Sequence, residues 1–226
     1  NYDIVQYLLT YFEFEIGPNC LSKINKLTRL TIPSTITYIG LNAFSECKSL
    51  TEVVIPSSVT FIESYAFFHC ISLKKIQIPS SVVEMGSNIF DGCYSLEDVS
   101  LPQSIRTIRT RFFFGCISLK SISIPPSVTY IATYAFSCCT SLLKVEIPPS
   151  VDQIEFSAFS KCESLEEASI PPTVSKIGLA LFRDCKKLKK IAIPFHVDVE
   201  DLGIDWKIQK VFLSNKLIEK VQRDYL

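Results

Sequence analysis

The sequence predicts a horseshoe-like α/β solenoid, with a parallel β-sheet on one face and short helical or 3₁₀ turns on the other. Three observations predict this fold. An Ile-Pro or Leu-Pro dipeptide recurs every 23 residues, phenylalanine, cysteine and leucine recur at the same interval, and no insertion interrupts it. Self-similarity at a fixed step of roughly 20 to 50 residues is the signature of a repeat architecture. The hydrophobic content of 47% is enough to build a continuous core.

Four sets of identical residues define the repeat. We call each set of residues spaced 23 positions apart a file. The prolines are Pro33, Pro56, Pro79, Pro102, Pro125, Pro148, Pro171 and Pro194, and the phenylalanines are Phe44, Phe67, Phe90, Phe113, Phe136, Phe159 and Phe182. The cysteines are Cys47, Cys70, Cys93, Cys116, Cys139, Cys162 and Cys185, and the leucines are Leu27, Leu50, Leu73, Leu96, Leu119, Leu142, Leu165 and Leu188. One repeat cannot bury these side chains alone, so neighbouring repeats must stack about 4.8 Å apart.

Each repeat is expected to contain one main strand. In residues 50–56 the pattern places Val53 and Ile55 on one side of a strand and Glu52 and Val54 on the other. Proline then ends the strand. Eight such strands would form a parallel sheet on the order of 38 Å long.

The rest of the repeat returns the chain to the sheet. After a turn rich in proline and serine, residues 59–62 read as a second extended piece. One tight turn of α-helix or 3₁₀ helix is expected to follow, carrying Ala66, Phe67 and Cys70 inward.

At this point the repeat resembles a known family. The pattern L-x-x-I-x-IP-x-S-V-x-x-I-x-x-x-A-F-x-x-C-x-x-L, present in residues 119–142 and 142–165, is similar to the BspA-type leucine-rich repeat and covers about residues 16–198. The family occurs in surface proteins of oral and gut bacteria and in large protist families. The resemblance implies a surface or secreted adhesion scaffold that binds a protein partner, such as a host or extracellular-matrix protein. A cytoplasmic location stays open.

Four positions depart from the family pattern. Leu101 and Met85 replace isoleucine, and Ile89 and Phe112 replace the small residue before phenylalanine. None of these changes is expected to break a ladder of stacked residues.

The two ends are expected to cap the array. Residues 1–26 are assigned to an N-terminal capping helix, within residues 3–12, and a partial repeat; residues 27–198 to the array; and residues 199–226 to a C-terminal cap. A closing helix is expected from residue 216. The chain begins at Asn1 rather than methionine, which suggests a processed chain or a fragment.

Charge gives no support for a nucleic-acid partner. Lysine plus arginine equals aspartate plus glutamate, at 23 each. The basic run 186–190 lies one repeat after Glu163, Glu166 and Glu167, so opposite charges on adjacent repeats neutralise it. The longest apolar runs are far shorter than the roughly 20 residues that span a bilayer, so no membrane insertion is expected in this segment.

No catalytic, metal or cofactor site is predicted. The only histidines are His69 and His196, more than five repeats apart, and no G-x-S-x-G motif, phosphate loop or H-E-x-x-H motif occurs. The repeated cysteines are interpreted as buried, inert small hydrophobes. Cys138 lies outside their file and is expected to be exposed. A redox-active or accessory role through Cys138 is therefore one alternative, and the redox state of Cys20 is left open.

The strand positions that face away from the core form the predicted binding face. These residues are Glu52, Val54, Lys75, Gln77, Asp98, Ser100, Ser121, Ser123, Lys144, Glu146, Glu167, Ser169 and Lys190. They include no aromatic residue, which favours weak or avidity-dependent binding. Aromatics in two other files, Tyr38 with Phe61 and Tyr130, and Tyr65 with Tyr134, form a rival surface. The remaining alternative is a purely structural spacer that binds nothing. The sequence does not fix the oligomeric state.

Overall fold

The computed structural model describes residue 9 and residues 12–198, 200–204 and 207–213. Each 23-residue repeat forms one rung of a solenoid and contributes up to two short strands. The front strands are β2 (Arg29–Thr31), β4 (Glu52–Val54), β6 (Lys75–Gln77), β8 (Asp98–Ser100), β11 (Lys144–Glu146), β13 (Glu167–Ser169), β15 (Lys190–Pro194) and β16 (Gln209–Leu213). The side strands are β1 (Glu15–Ile16), β3 (Tyr38–Ile39), β5 (Phe61–Ile62), β7 (Glu84–Met85), β9 (Thr107–Ile108), β10 (Tyr130–Ile131), β12 (Gln153–Ile154) and β14 (Lys176–Ile177).

All strand pairs are parallel, and most join residues that are one repeat apart. Glu52 pairs with Lys75 in the front sheet, and Ile62 pairs with Met85 in the side sheet. In β2, β4, β6, β11 and β13 the middle residue is buried, as Val53 is at 4% exposure, while the outward-facing Val54 is 50% exposed. The predicted parallel sheet and the predicted strand faces are therefore confirmed.

The phenylalanine file runs through the whole core. From Phe44 to Phe182, successive rings stack with centroids 5.0 to 5.8 Å apart and planes within 20° of parallel. Each ring is at most 1% exposed. Offset-stacked aromatic pairs contribute about 0.5–1.5 kcal/mol each beyond their area burial, so this file is a main source of cohesion between rungs.

The cysteine file is buried, as predicted, and it also makes hydrogen bonds. Each of the seven thiols donates to the backbone carbonyl 26 residues earlier, at 3.0 to 3.3 Å. Cys139 Sγ, for example, donates to Phe113 O at 3.2 Å. Burial raises the pKa of Cys47 to about 11 and shifts the pKa of Cys70, Cys93 and Cys116 in the same direction. These four thiols are therefore protonated donors as well as apolar fillers.

The predicted helical or 3₁₀ turns are wrong. Between residues 12 and 198 the structure contains strands, turns and bends but no helix. Two residues in every turn segment have a left-handed backbone, with φ between 52° and 73°. The first file is Asn19, Asn42, Tyr65, Asn88, Arg111, Tyr134, Ser157 and Ala180, and the second is Lys23, Glu46, His69, Gly92, Gly115, Cys138, Lys161 and Asp184. Each turn segment thus has two left-handed residues four positions apart, and such a segment cannot form a right-handed helix.

Hydrogen bonding between rungs explains this turn geometry. The N–H groups of Asn42, Phe44 and Glu46 donate to carbonyls 22 residues later, at 3.1, 2.8 and 2.7 Å. The same three bonds recur at every junction, up to residues 157, 159 and 161. Because alternate N–H groups bond to the next rung, they are not available for a continuous intrahelical ladder. The turn segments thus form an uninterrupted ladder of their own.

The strands, in contrast, are interrupted once. The front sheet is divided into β2-β4-β6-β8 and β11-β13-β15-β16, and the side sheet is divided between β7 and β9. Among the described residues, no backbone hydrogen bond joins 83–86 to 106–109 or 95–101 to 118–124. We call this junction the seam. The expected continuous eight-stranded sheet is therefore wrong, and 121–123 retains only an isolated bridge from Ser123 to Glu146.

The seam coincides with the largest departure from the repeat. Phe112 occupies a file that holds alanine at positions 43, 66, 135 and 158, and it is fully buried. Its ring lies edge-on to Phe90 and Phe113, at 5.7 and 4.9 Å. Extra volume in a packed core forces backbone shifts, and at this junction strand pairing is absent while the phenylalanine file continues. The stack of phenylalanine rings continues past Phe112, as expected, and the loss of strand pairing occurs in the same rung.

The ends differ from the repeat frame. β16 pairs with β15 so that Lys190 faces Gln209, an offset of 19 residues instead of 23. A 3₁₀ helix over Glu200–Leu202 lies between the two strands. The front sheet therefore continues into the segment predicted as a C-terminal cap. The helix predicted from residue 216 and nearly all of the helix predicted within 3–12 lie outside the described residues.

Candidate binding surface

The front sheet carries all of the predicted binding residues on its outer face. Glu52 is half-buried, and the others are exposed: Val54, Lys75, Gln77, Asp98, Ser100, Ser121, Ser123, Lys144, Glu146, Glu167, Ser169 and Lys190. The seam separates them into two groups. The first group lies on β4, β6 and β8, and the second lies on residues 121–123, β11, β13 and β15.

The first group lines a shallow groove. The groove has a volume of about 560 Å³, and Glu52, Val54, Lys75, Gln77, Asp98 and Ser100 are among its lining residues. Val54 supplies an apolar surface that is 50% exposed. The β8 rung, which lines this groove, also borders the seam, and its central residue Val99 is only partly buried. These six residues are on the predicted binding face, whereas the groove itself was not predicted.

The charges beside the groove are partly paired across rungs. Glu52 lies between Arg29 and Lys75, with N–O distances of 3.7 and 3.8 Å. Their side chains are 37% to 73% exposed, so each pair contributes little to stability. Asp98 faces Lys75 in the strand register. This end of the sheet therefore presents alternating charges that a partner could match.

The basic run, which leads into β15, shows the predicted charge alternation with the preceding rung. Lys186 Nζ lies 2.7 Å from Glu163, and Lys189 Nζ lies 3.2 Å from Glu166. Glu163 raises the pKa of Lys186 through this hydrogen bond. On β11, Lys144 pairs with Glu146 and lowers the pKa of that carboxyl. The predicted pairing of opposite charges on adjacent rungs is confirmed for Lys186 and Lys189.

The aromatic residues outside the core form more contacts than the sequence analysis recognised. Tyr38 stacks on Phe61 at 5.4 Å in the side sheet, as their shared file predicts. On the turn side, however, Tyr65 contacts Phe68, which was not singled out, and Phe68 stacks on His69 at 4.2 Å. These aromatic residues occupy files that are polar in most other rungs, and this difference in the sequence could have indicated the cluster.

The structure places no second cysteine in a bond with Cys138. All nine cysteines are free, and Cys138 is half-buried rather than exposed as predicted, with its Sγ 3.7 Å from Ser137 Oγ. Within the described residues, no three His, Cys, Asp or Glu side chains come together in a way that could hold a metal ion. Over the same residues, no helix has the length and apolar character needed to cross a membrane.

The two histidines have different environments. His69 stacks on Phe68 and lies 5.9 Å from Tyr94 between ring centroids. His196 takes the place of the serine that recurs at positions 58, 81, 104, 127 and 150. Those serines donate to the carbonyl 22 residues earlier, and His196 Nε2 lies 2.8 Å from Val174 O in the same way. His196 is therefore a structural donor at the end of the serine file.

Comparison with solved structures finds the same architecture in bacteria. A leucine-rich repeat protein from Bacteroides ovatus has a TM-score of 0.55 and 23% identity, over 88% of this chain and 75% of that one. The T. pallidum leucine-rich repeat protein has a TM-score of 0.53 and 25% identity, over 77% and 71%. No curated protein matches the sequence.

Family assignment rests on the repeats themselves. The family model for the BspA type leucine-rich repeat region matches in six copies, over residues 14–125 and 85–203. These matches cover most of the described solenoid and include both sides of the seam. The chain therefore belongs to the BspA-type leucine-rich repeat family.

Proposed function

We propose that this chain is a non-catalytic protein-binding scaffold that engages its partner through the front sheet. The groove lined by Glu52, Lys75 and Asp98 carries the proposal, because it combines the exposed Val54 with charges of both signs. Interfaces commonly surround an apolar centre with a polar rim. Leucine-rich repeat proteins generally bind proteins and are generally not enzymes, which supports the same reading.

The partner that fits the proposal is a protein at the cell surface or outside the cell, such as a host or extracellular-matrix protein. The family assignment supports this partner class, since the family includes surface proteins. Few aromatic anchors line the front sheet, so each solenoid would bind weakly and depend on multivalent display for strength.

Charge reversal on the front sheet tests the proposal. Binding of immobilised fibronectin, laminin and collagen would be measured for the native chain and for Lys75→Glu, Lys144→Glu and Glu167→Lys variants. Each reversal inside the interface should weaken binding about fivefold, which corresponds to about 1 kcal/mol.

Lys48→Glu is the matched control, because Lys48 is exposed on the turn side of the solenoid. The control should bind as the native chain does. Capture of a matrix protein that is unchanged in all three front-sheet variants would contradict the proposal, and so would an equal loss in the Lys48 variant.

A further inference from the structure

The middle of the turn side differs in charge from its ends. We call residues 64–72, 87–95, 110–118 and 133–141 the central turn face. This face contains only two charged residues, Asp91 and Arg111. The flanking turn segments are charged, with Lys23, Glu46 and Lys48 at one end and Lys161, Glu163, Arg183, Asp184, Lys186 and Lys187 at the other.

Aromatic side chains fill the first part of the central turn face. Tyr65 packs edge-on against Phe68 at 5.5 Å, Phe68 stacks on His69 at 4.2 Å, and His69 lies 5.9 Å from Tyr94. Tyr65 is 37% exposed, Tyr94 is 43% exposed, and Ile117 in the next rung is 42% exposed. These residues form an exposed apolar cluster of the kind that marks interaction sites.

Arg111 is held rigidly beside this cluster. Its Nε donates to Asp91 Oδ2 at 2.8 Å, and its guanidinium carbon lies 3.6 Å from the centroid of the Phe114 ring. Asp91 is 2% exposed and also accepts a hydrogen bond from Asn88 Nδ2 at 3.0 Å. The Arg111 side chain is still 37% exposed. Because Asp91 uses Nε, the terminal nitrogens remain as donors for a ligand.

The repeat does not require these side chains. The file of Phe68 also holds Phe114, but it holds Ser45, Asp91, Ser137, Ser160 and Arg183 in the other rungs, and the file of Tyr94 holds Lys48, Ile71, Ile117, Thr140, Glu163 and Lys186. A residue type that the solenoid needed would recur along its file, as phenylalanine and cysteine do. The aromatic residues and Arg111 therefore serve something other than stacking.

We propose that the central turn face is a second protein-docking surface, separate from the front sheet, with Arg111 as its polar anchor. The partner presents an aromatic or aliphatic side chain to the Tyr65–Tyr94 cluster and a carboxylate to the terminal nitrogens of Arg111. Tyrosine and arginine are enriched at interface hot spots, and interface centres are depleted of other charges. The charged flanking turns correspond to the rim.

A second copy of the chain does not fit this surface. A two-fold interface is self-complementary, so a dimer centred on the central turn face would bring two Arg111 side chains close together. Asp91 is buried and could not bridge to the other copy. The surface is thus complementary to an acidic, apolar segment of a different protein.

Selection from a phage-displayed library of random 12-residue peptides on the folded chain tests the proposal. Enriched peptides should combine an aromatic or aliphatic residue with aspartate or glutamate. The dissociation constant of a selected peptide should rise about tenfold or more for Tyr94→Ser and for Arg111→Gln. It should rise similarly for Arg111→Lys, which keeps a positive charge beside Asp91 but loses the planar guanidinium. Thermal unfolding would verify that each variant is folded.

Lys75→Glu combined with Lys144→Glu on the front sheet is the matched control and should leave the dissociation constant unchanged. Three results would overturn the proposal: no enrichment over the starting library, selected peptides whose binding ignores Tyr94 and Arg111, or sedimentation showing a dimer that Tyr94→Ser disrupts. Peptides lost only in the front-sheet variants would overturn this proposal while supporting the proposed function.

Discussion

The turn segments and the strands of this solenoid share one repeat, yet only the strand ladders are interrupted. Along the turn side, the same three backbone hydrogen bonds join every pair of neighbouring turn segments from residue 19 to residue 183. Along the strand side, both sheets are interrupted at the seam. Phe112 lies in a turn segment that keeps its hydrogen bonds to the preceding rung. Phe90 N, for example, donates to Phe112 O at 2.9 Å.

This comparison shows which part of the rung sets the register. The turn ladder and the stacked phenylalanines hold neighbouring rungs together even where strand pairing is lost. The short strands, with two or three residues each over most of the array, lose their pairing at the seam. A substitution in the phenylalanine file should therefore affect stability more than one in the strands.

Removing a ring from the centre of the file should have the largest effect. Phe136 stacks between Phe113 and Phe159, at 5.3 and 5.0 Å. Phe136→Ala should lower the free energy of unfolding by about 3–5 kcal/mol, because it leaves a cavity and two unpartnered rings. Urea unfolding measures the change. Val145→Ala on a front strand is the control and should cost less; an equal loss would contradict the proposed hierarchy.

Removing the ring at the seam should have a smaller net effect. Phe112→Ala restores the alanine found at positions 43, 66, 135 and 158, so the strands can close while some buried area is lost. We expect a loss of about 1–3 kcal/mol, together with slower amide hydrogen exchange at residues 121–124. Unchanged exchange at these amides would show that Phe112 does not cause the seam.

The buried thiols should make stability sensitive to alkali. Burial raises the pKa of Cys47 from the ordinary 9.0 to about 11. Below pH 9 the thiol is protonated in both states, so its contribution is fully present; as the pH rises toward 11, the unfolded chain loses this proton first and the contribution is lost. Raising the pH from 8 to 10 should therefore lower the free energy of unfolding by about 1 kcal/mol less in the Cys47→Ser variant than in the native chain. If urea unfolding shows the same loss between the two pH values in the variant and in the native chain, the raised pKa of Cys47 would be contradicted.

The smallest effect is expected in the left-handed turn positions. Lys161 has φ of 59° and lies in the file that holds Gly92 and Gly115. Lys161→Gly should stabilise the chain slightly or leave it unchanged, within about 1 kcal/mol, because glycine adopts this conformation without a side-chain penalty. Lys176→Gly, on a side strand, should destabilise the chain by about 0.5–1 kcal/mol. Thermal unfolding compares the two, and a loss in the Lys161 variant would contradict the left-handed assignment.

Much of the fold was predictable because the core files have one residue type. Phenylalanine, cysteine and leucine recur without a gap, so their inward direction follows from the interval alone. The turn conformation was not predictable in this way, since its left-handed files contain residues as different as Asn42, Tyr65 and Arg111. The hydrogen bonds of the cysteine and serine files were also not predicted. Each thiol donates to a carbonyl 26 residues earlier and each serine hydroxyl to a carbonyl 22 residues earlier, as Cys139 and Ser127 do.

The last front strand escaped prediction for a related reason. β16 follows β15 by 19 residues, and no proline, phenylalanine or cysteine marks its rung in the expected place. The front-sheet residues were correctly placed on the outer face, because alternation along a strand decides that face. The groove and the Arg111 cluster depend on contacts between files and could not be read from any single file.

The sequence alone determined the repeat, the parallel stacking and the identity of the inward files, because side chains that recur at one interval must be buried together. The tertiary structure decided the left-handed turns, the seam and the setting of Arg111. Each of these depends on a neighbour in another rung: a carbonyl that accepts an N–H, a ring that demands volume, or a buried carboxylate that fixes a guanidinium. Such partners are defined only once the rungs are stacked.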